Sequence, residues 1–138
     1  MNSLIAQYES INTQSGVEDA SPHRLVQMLM EGFLQRVAEA KGALERNDIA
    51  AKGLAISKAI SIAEGLRSSL NQEAGGDLAN NLGDLYLYMQ QQLLQANVLN
   101  KVELLDEVSE LMKTVKSGWD GIAQSPEAQN QTQAAVSP

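Results

Sequence analysis

Side chains able to do covalent chemistry are few in this sequence and badly spaced for it. His23 is the one histidine, and there is no cysteine. A metal centre in a helical bundle draws on inward-facing Glu residues and Glu-x-x-His pairs, but no suitable Glu precedes His23. A hydrolytic triad needs a base oriented by a third group. Ser57, Ser61, Ser68 and Ser69 fall on the polar side of one predicted helix, and His23 has no evident triad partner. Gly75-Gly76-Asp77 has the look of a phosphate cradle, yet no strand precedes it and no lysine follows, and such a loop requires both. Glu103, Asp106, Glu107 and Glu110 share the polar side of another helix and read as a solvated face. The expectation is no catalysis, no metal and no cofactor.

The chain does carry more apolar surface than a simple bundle needs. At about 100° per residue, Leu78, Leu82, Leu85, Met89, Leu93 and Ala96 form one stripe on the helix that begins at Asp77. Leu87, Leu94 and Val98 sit roughly 160–200° away, amid Gly83, Gln90 and Gln91. One stripe faces a core; a second asks for another cover. Burying each such side chain is worth roughly 1.5–3 kcal/mol. Three covers are open: the chain's own N-terminal segment, a second copy in a homodimer, or an amphipathic segment of another protein. Ile62 and Leu54, off centre on the preceding helix, are weaker candidates for the same surface.

These positions must be held by helices, because no stretch alternates apolar and polar residues as a strand would. The first helix opens at Ser21-Pro22, an N-cap followed by proline at the first helical position. It carries Leu25, Val26, Leu29, Met30, Phe33, Val37, Ala40 and Leu44 on one face. Asn47-Asp48 ends it and starts a second helix from Ile49 to about Leu70, with Ile49, Ile56, Ile60, Ala63, Leu66 and Leu70 as its core face and Ala55 and Ile62 broadening that face on one side. A loop at Asn71–Gly76 precedes the third helix, capped by Asp77. Asn100 with Glu103 three residues on reads as a capping box for the fourth, whose stripe is Leu104, Leu105, Val108, Leu111, Met112, Val115 and Trp119. Helices of this length joined by short connections pack as antiparallel neighbours. The predicted fold is all-α: an up-down four-helix bundle over residues 21–122, with a short helical segment before it.

That segment, residues 1–20, places Leu4, Ile5, Tyr8 and Ile11 on one side. A helix this short is marginal alone in water, so it is expected to act as a latch, occupying the second stripe until a partner displaces it. Tyr8 suits a latch, since its ring buries while its hydroxyl stays at the rim. Residues 123–138 are Gln, Ala and Ser with two prolines and one charge, a composition expected to stay disordered.

Net charge is −7, which leaves no polybasic patch for nucleic acid or anionic lipid. Aromatics are only 4% of residues, too few for a base-stacking platform. No run approaches the ~20 apolar residues of a membrane span, and no signal-peptide layout opens the chain. A cytoplasmic protein is expected.

Set out this way, the sequence resembles the FliS family of flagellar export chaperones. The resemblance runs from Tyr8 through Ala20-Ser21-Pro22-His23-Arg24-Leu25-Val26-Gln27-Met28-Leu29 and Glu31-Gly32. It continues through Lys58-Ala59, Ile62, Leu66 and Ser69-Leu70-Asn71 to Gly75-Gly76-Asp77-Leu78-Ala79-Asn80-Asn81-Leu82 with Leu85-Tyr86. Leu93, Ala96, Asn97, Leu104, Glu107, Val108, Leu111 and Trp119 complete it. Met30 departs from the tyrosine usual there, which alters local packing and not the fold. The resemblance implies a bundle that holds the C-terminal segment of flagellin, disordered when free, and blocks premature polymerisation before delivery to the export apparatus. It implies displacement of the N-terminal segment with its Tyr8, and admits other flagellar export components as partners. The alternative from the residues alone is a self-assembling homodimer.

Overall fold

A computed structural model describes residues 20–122 except Asn71, with the backbone alone at 72–74. The expected latch residues Leu4, Ile5, Tyr8 and Ile11, and the tail 123–138, lie outside the described residues. Four helices follow in order: α1 (Pro22–Glu45), α2 (Ile49–Ser68), α3 (Gln72–Leu99) and α4 (Val102–Ile122). Helix α1 packs on α2 and α4, α3 packs on the same two, and no diagonal pair meets. This is the ring of an up-down four-helix bundle.

Local sequence explains the helix ends. Ser21 is extended and its Oγ accepts from the Arg24 N–H at 3.1 Å, with Pro22 at N1. At the other end Asn47 takes φ 58°. The Asp48 N–H reaches back to the Ala43 carbonyl at 2.9 Å, and the Asn47 N–H to Leu44 at 3.1 Å. These two bonds are the Schellman arrangement that satisfies terminal carbonyls. Asp48 then caps α2, its Oδ1 accepting from Ala51 N–H at 3.1 Å. One dipeptide thus closes one helix and opens the next.

Two expected caps differ. The predicted loop before α3 is helical from Gln72, and the interruption falls at Gly76 alone, at φ 57°, ψ −132°. Only glycine reaches that region without strain. Asn100 forms no capping box. Its φ is 54°, its N–H donates to Ala96 O at 2.9 Å, and it closes α3 while α4 starts two residues later. The Asn100 side chain is engaged elsewhere: its Oδ1 accepts from Lys52 Nζ, which also donates to the Asn97 carbonyl at 2.9 Å. Lys52 is buried. Its ammonium sits against the negative end of α3, where a cation is favoured.

The core contains the expected α1 face, with Leu29, Met30, Phe33 and Ala40 fully buried, and the α4 face at Leu105, Val108, Met112 and Trp119. Helix α2 contributes Ile56 and Leu66 together with Ala55, Ala59 and Ala63, the alanines being small residues that let neighbouring backbones approach. Ile49 does not join them; it is 75% exposed, because it is the first residue of its helix, beyond the packed length. Helix α3 is rotated relative to its predicted stripe. Ala79, Gly83, Tyr86, Met89, Leu93 and Ala96 are buried, while Leu78 is half exposed. Tyr86 is buried within that face while Leu82 and Leu85 pack half-buried against the core, and burial pushes the Tyr86 hydroxyl pKa up. No described helix is long and apolar enough to cross a membrane.

Candidate functional site: an apolar flank of the third helix

Rotation of α3 changes where its second stripe lies. With the buried face centred near Tyr86 and Leu93, the Leu87–Leu94–Val98 line falls about 110° from it, on a flank of the helix. Hydrogen bonds tell which flank. Gln90 Nε2 donates to Glu64 Oε1 of α2 at 3.0 Å, and the Asn97 carbonyl accepts from Lys52 of α2. Residues 87, 90, 94, 97 and 98 share one side of a helix by their i, i+3, i+4 and i+7 spacing. The opposite flank meets α4, where Tyr88 Oη donates to Glu107 Oε2 at 2.6 Å and Gln92 Nε2 to Glu107 Oε1 at 2.9 Å. Leu87, Leu94 and Val98 therefore edge the outer groove between α2 and α3.

They remain exposed there, Leu94 at 54% and Val98 at 74%, with Leu87 less so. Ile60 of α2 shares its side with Glu64, four residues on, and packs half-buried against the core as the facing wall. The sequence reading counted Ile60 as core; its distance from the centre of the α2 wheel was the available signal. Ile62, named as a weaker candidate for the same surface, is corrected: it is buried in the core beside Ala59 and Ala63 and presents nothing to a partner. Leu54 is exposed but lies elsewhere. It lines a shallow cleft between α1 and α2 with Ala38, Gly42, Ala51 and Lys58.

The electrostatics of the groove are mild. Glu64 is held in a two-point pair with Arg67, at 2.9 and 2.8 Å, which keeps its carboxyl below the ordinary carboxylate range. On the α4 flank the bonds from Tyr88 and then Gln92 lower Glu107 in the same way. Such exposed pairs contribute little to stability. On the α2 side the Glu64–Arg67 pair and the Gln90 amide border the apolar strip, a surface suited to non-covalent recognition of a partner helix.

Ser69 is buried at the end of α2, its Oγ donating to the Leu66 carbonyl at 2.8 Å, so it does not lie on the polar side. Ser57 and Ser61 are exposed. His23 is buried and stacked on Trp119, with ring centroids 4.8 Å apart and planes 5° from parallel. Trp119 Nε1–H donates to the His23 carbonyl at 3.0 Å. Burial lowers the imidazole pKa, against a smaller raising effect of Asp120. Among the described residues no three His, Asp or Glu side chains converge as a metal set.

Comparison with known proteins adds the family. Residues 4–126 match the family described as Flagellar protein FliS. The flagellar secretion chaperone FliSB of Pseudomonas aeruginosa is 54% identical over 117 residues, covering 85% of this chain and 93% of that protein. The flagellar secretion chaperone FliS of Vibrio cholerae is 41% identical over 136 residues, covering 99% and 98%. That of Salmonella typhimurium is 42% identical over 125 residues, covering 90% and 91%.

Proposed function

The chain belongs to the FliS family of flagellar secretion chaperones, and on that premise we propose that its client is flagellin, held by the C-terminal segment. The observation that carries this reading is the Leu87–Leu94–Val98 line, left exposed beside α2 in an otherwise well-filled bundle. An amphipathic helix laid in the α2–α3 groove would cover those side chains, as helix-in-groove partners do. The client's own apolar face would then be unavailable for polymerisation. Coupled folding and binding of this kind commonly buries 1,000–3,000 Å² and loses several kcal/mol to ordering, so binding can be tight and still reversible. The protein acts without catalysis in the cytoplasm and hands its client to the export apparatus. The N-terminal segment, through Leu4, Ile5, Tyr8 and Ile11, competes for the groove as a latch.

Calorimetric titration with the C-terminal peptide of flagellin tests this reading. Saturable one-to-one binding with a negative heat-capacity change is the expected result. A stable dimer in sedimentation that ignores the peptide would instead favour self-assembly through the same stripe.

A further inference from the structure

We propose that His23 and Trp119 form an acid-sensitive catch at one end of the bundle, opened when the imidazole takes up a proton. The proposal concerns the α1–α4 seam and is independent of the client groove. His23 is the second residue of α1, and Trp119 lies in the last turn of α4. Their stacked rings and the indole-to-carbonyl bond at 3.0 Å join the two ends. The chain enters the bundle at Ala20-Ser21 and leaves it at Ile122, so both outer segments attach beside this seam.

The seam is built for a neutral imidazole. Both ring nitrogens are buried and neither has a hydrogen-bond partner among the described residues. A second proton would leave an imidazolium with two unsatisfied donors in a site that disfavours charge. It would also sit at the positive end of the α1 dipole. The surrounding charged groups are already engaged. On α4, Asp120 accepts from Gln27 at 2.6 Å and from Lys116 at 2.8 Å. On α1, Arg24 pairs with Glu31 at 3.2 Å. In the last turn of α2, Arg67 pairs with Glu64. Among the described residues Asp120 is the group whose charge favours the cation. Its oxygens keep spare lone pairs, but neither ring nitrogen bonds it in the stacked pose, so the imidazolium reaches it by swinging off the indole. That swing breaks the stack.

One histidine and one tryptophan in the chain make both reporters unambiguous. The test is a titration of the full chain from pH 7.5 to 4.5. It follows the imidazole carbon-bound proton resonances by NMR, Trp119 emission with acrylamide quenching, and far-ultraviolet circular dichroism. The expected result is an imidazole midpoint below 6.5. A red shift and about a twofold rise in quenching should share that midpoint, with helicity unchanged, as local opening requires. His23→Phe keeps a flat ring over the indole and removes the proton site, so its emission should be constant across the range. Three outcomes overturn the proposal: Trp119 unmoved while the imidazole titrates, helicity lost at the same midpoint, or the acid transition persisting in His23→Phe. The first two are read on the natural protein, whatever the stability of the variant.

Discussion

Replacing Leu94 tests the groove most directly, because that side chain is half in the fold and half out. It is 54% exposed, so about half of the 1.5–3 kcal/mol available from burying a leucine remains for a partner to gain, about 1 kcal/mol. Leu94→Ala should therefore weaken client binding about fivefold, since 1.4 kcal/mol is a factor of ten. Leu94→Asp also forces a carboxylate under the bound segment without a cation to meet it. Burying an unpaired charge costs several kcal/mol, so binding should fall more than about 100-fold. The fold should lose far less: about 1 kcal/mol of packing already made, and about 0.5 kcal/mol of helix propensity. Typical stability is about 5–15 kcal/mol, so the variant stays folded. Isothermal titration with the flagellin C-terminal peptide and circular dichroism on the same samples read both quantities. Leu54→Asp, in the cleft between α1 and α2, serves as a charge-matched control with a smaller effect. Wild-type affinity in Leu94→Asp, or its unfolding, would refute the reasoning: the first would remove Leu94 from the groove, the second would place it in the core.

Other expectations follow from the same structure. Lys52→Met should leave the Asn97 carbonyl and the Asn100 amide oxygen without their donor, lowering stability by about 1–3 kcal/mol in urea unfolding. Gly76→Ala should cost about 1–3 kcal/mol in the same assay; at φ 57° the strain is in the backbone, since nothing lies within 4 Å of the added methyl. Glu64 has its pKa depressed chiefly by Arg67, so its contribution is present above the ordinary carboxylate pKa and fades as pH falls through the depressed value. Glu64→Gln should flatten the acid limb of a thermal-melt series below about pH 5, and an unchanged limb would show the pair to be inert.

Legibility in the sequence tracked how local the determining physics was. The ends of α1 and the start of α2 were readable because Ser21, Pro22 and Asp48 act on backbone groups within three residues. Asn100 was misread because the residue type suits two caps. The choice between them was made by Lys52, 48 positions away. The rotation of α3 was missed for a related reason. A leucine count favours the Leu78–Leu82–Leu85 side, whereas packing placed the bulky ring of Tyr86 and the small Ala79 and Gly83 inward. On α2 so much of the buried surface is alanine that periodicity could not separate core from edge. The wheel therefore allows Ile62 both as core and as groove, and it is core, whereas Ile49 lies beyond the packed length. The outer leucines of α3 were found correctly as exposed, although their angular distance from the core was overstated.

The alanines of α2 have a consequence for how this molecule can change over generations. Ala55, Ala59 and Ala63 leave no slack where the helices meet, so enlarging any of them would wedge the body apart. The leucines that edge the α2–α3 groove are only partly committed to the scaffold, with about half of Leu94 outside it. If they meet the client as proposed, recognition can be retailored one outward residue at a time, while the scaffold beneath stays frozen.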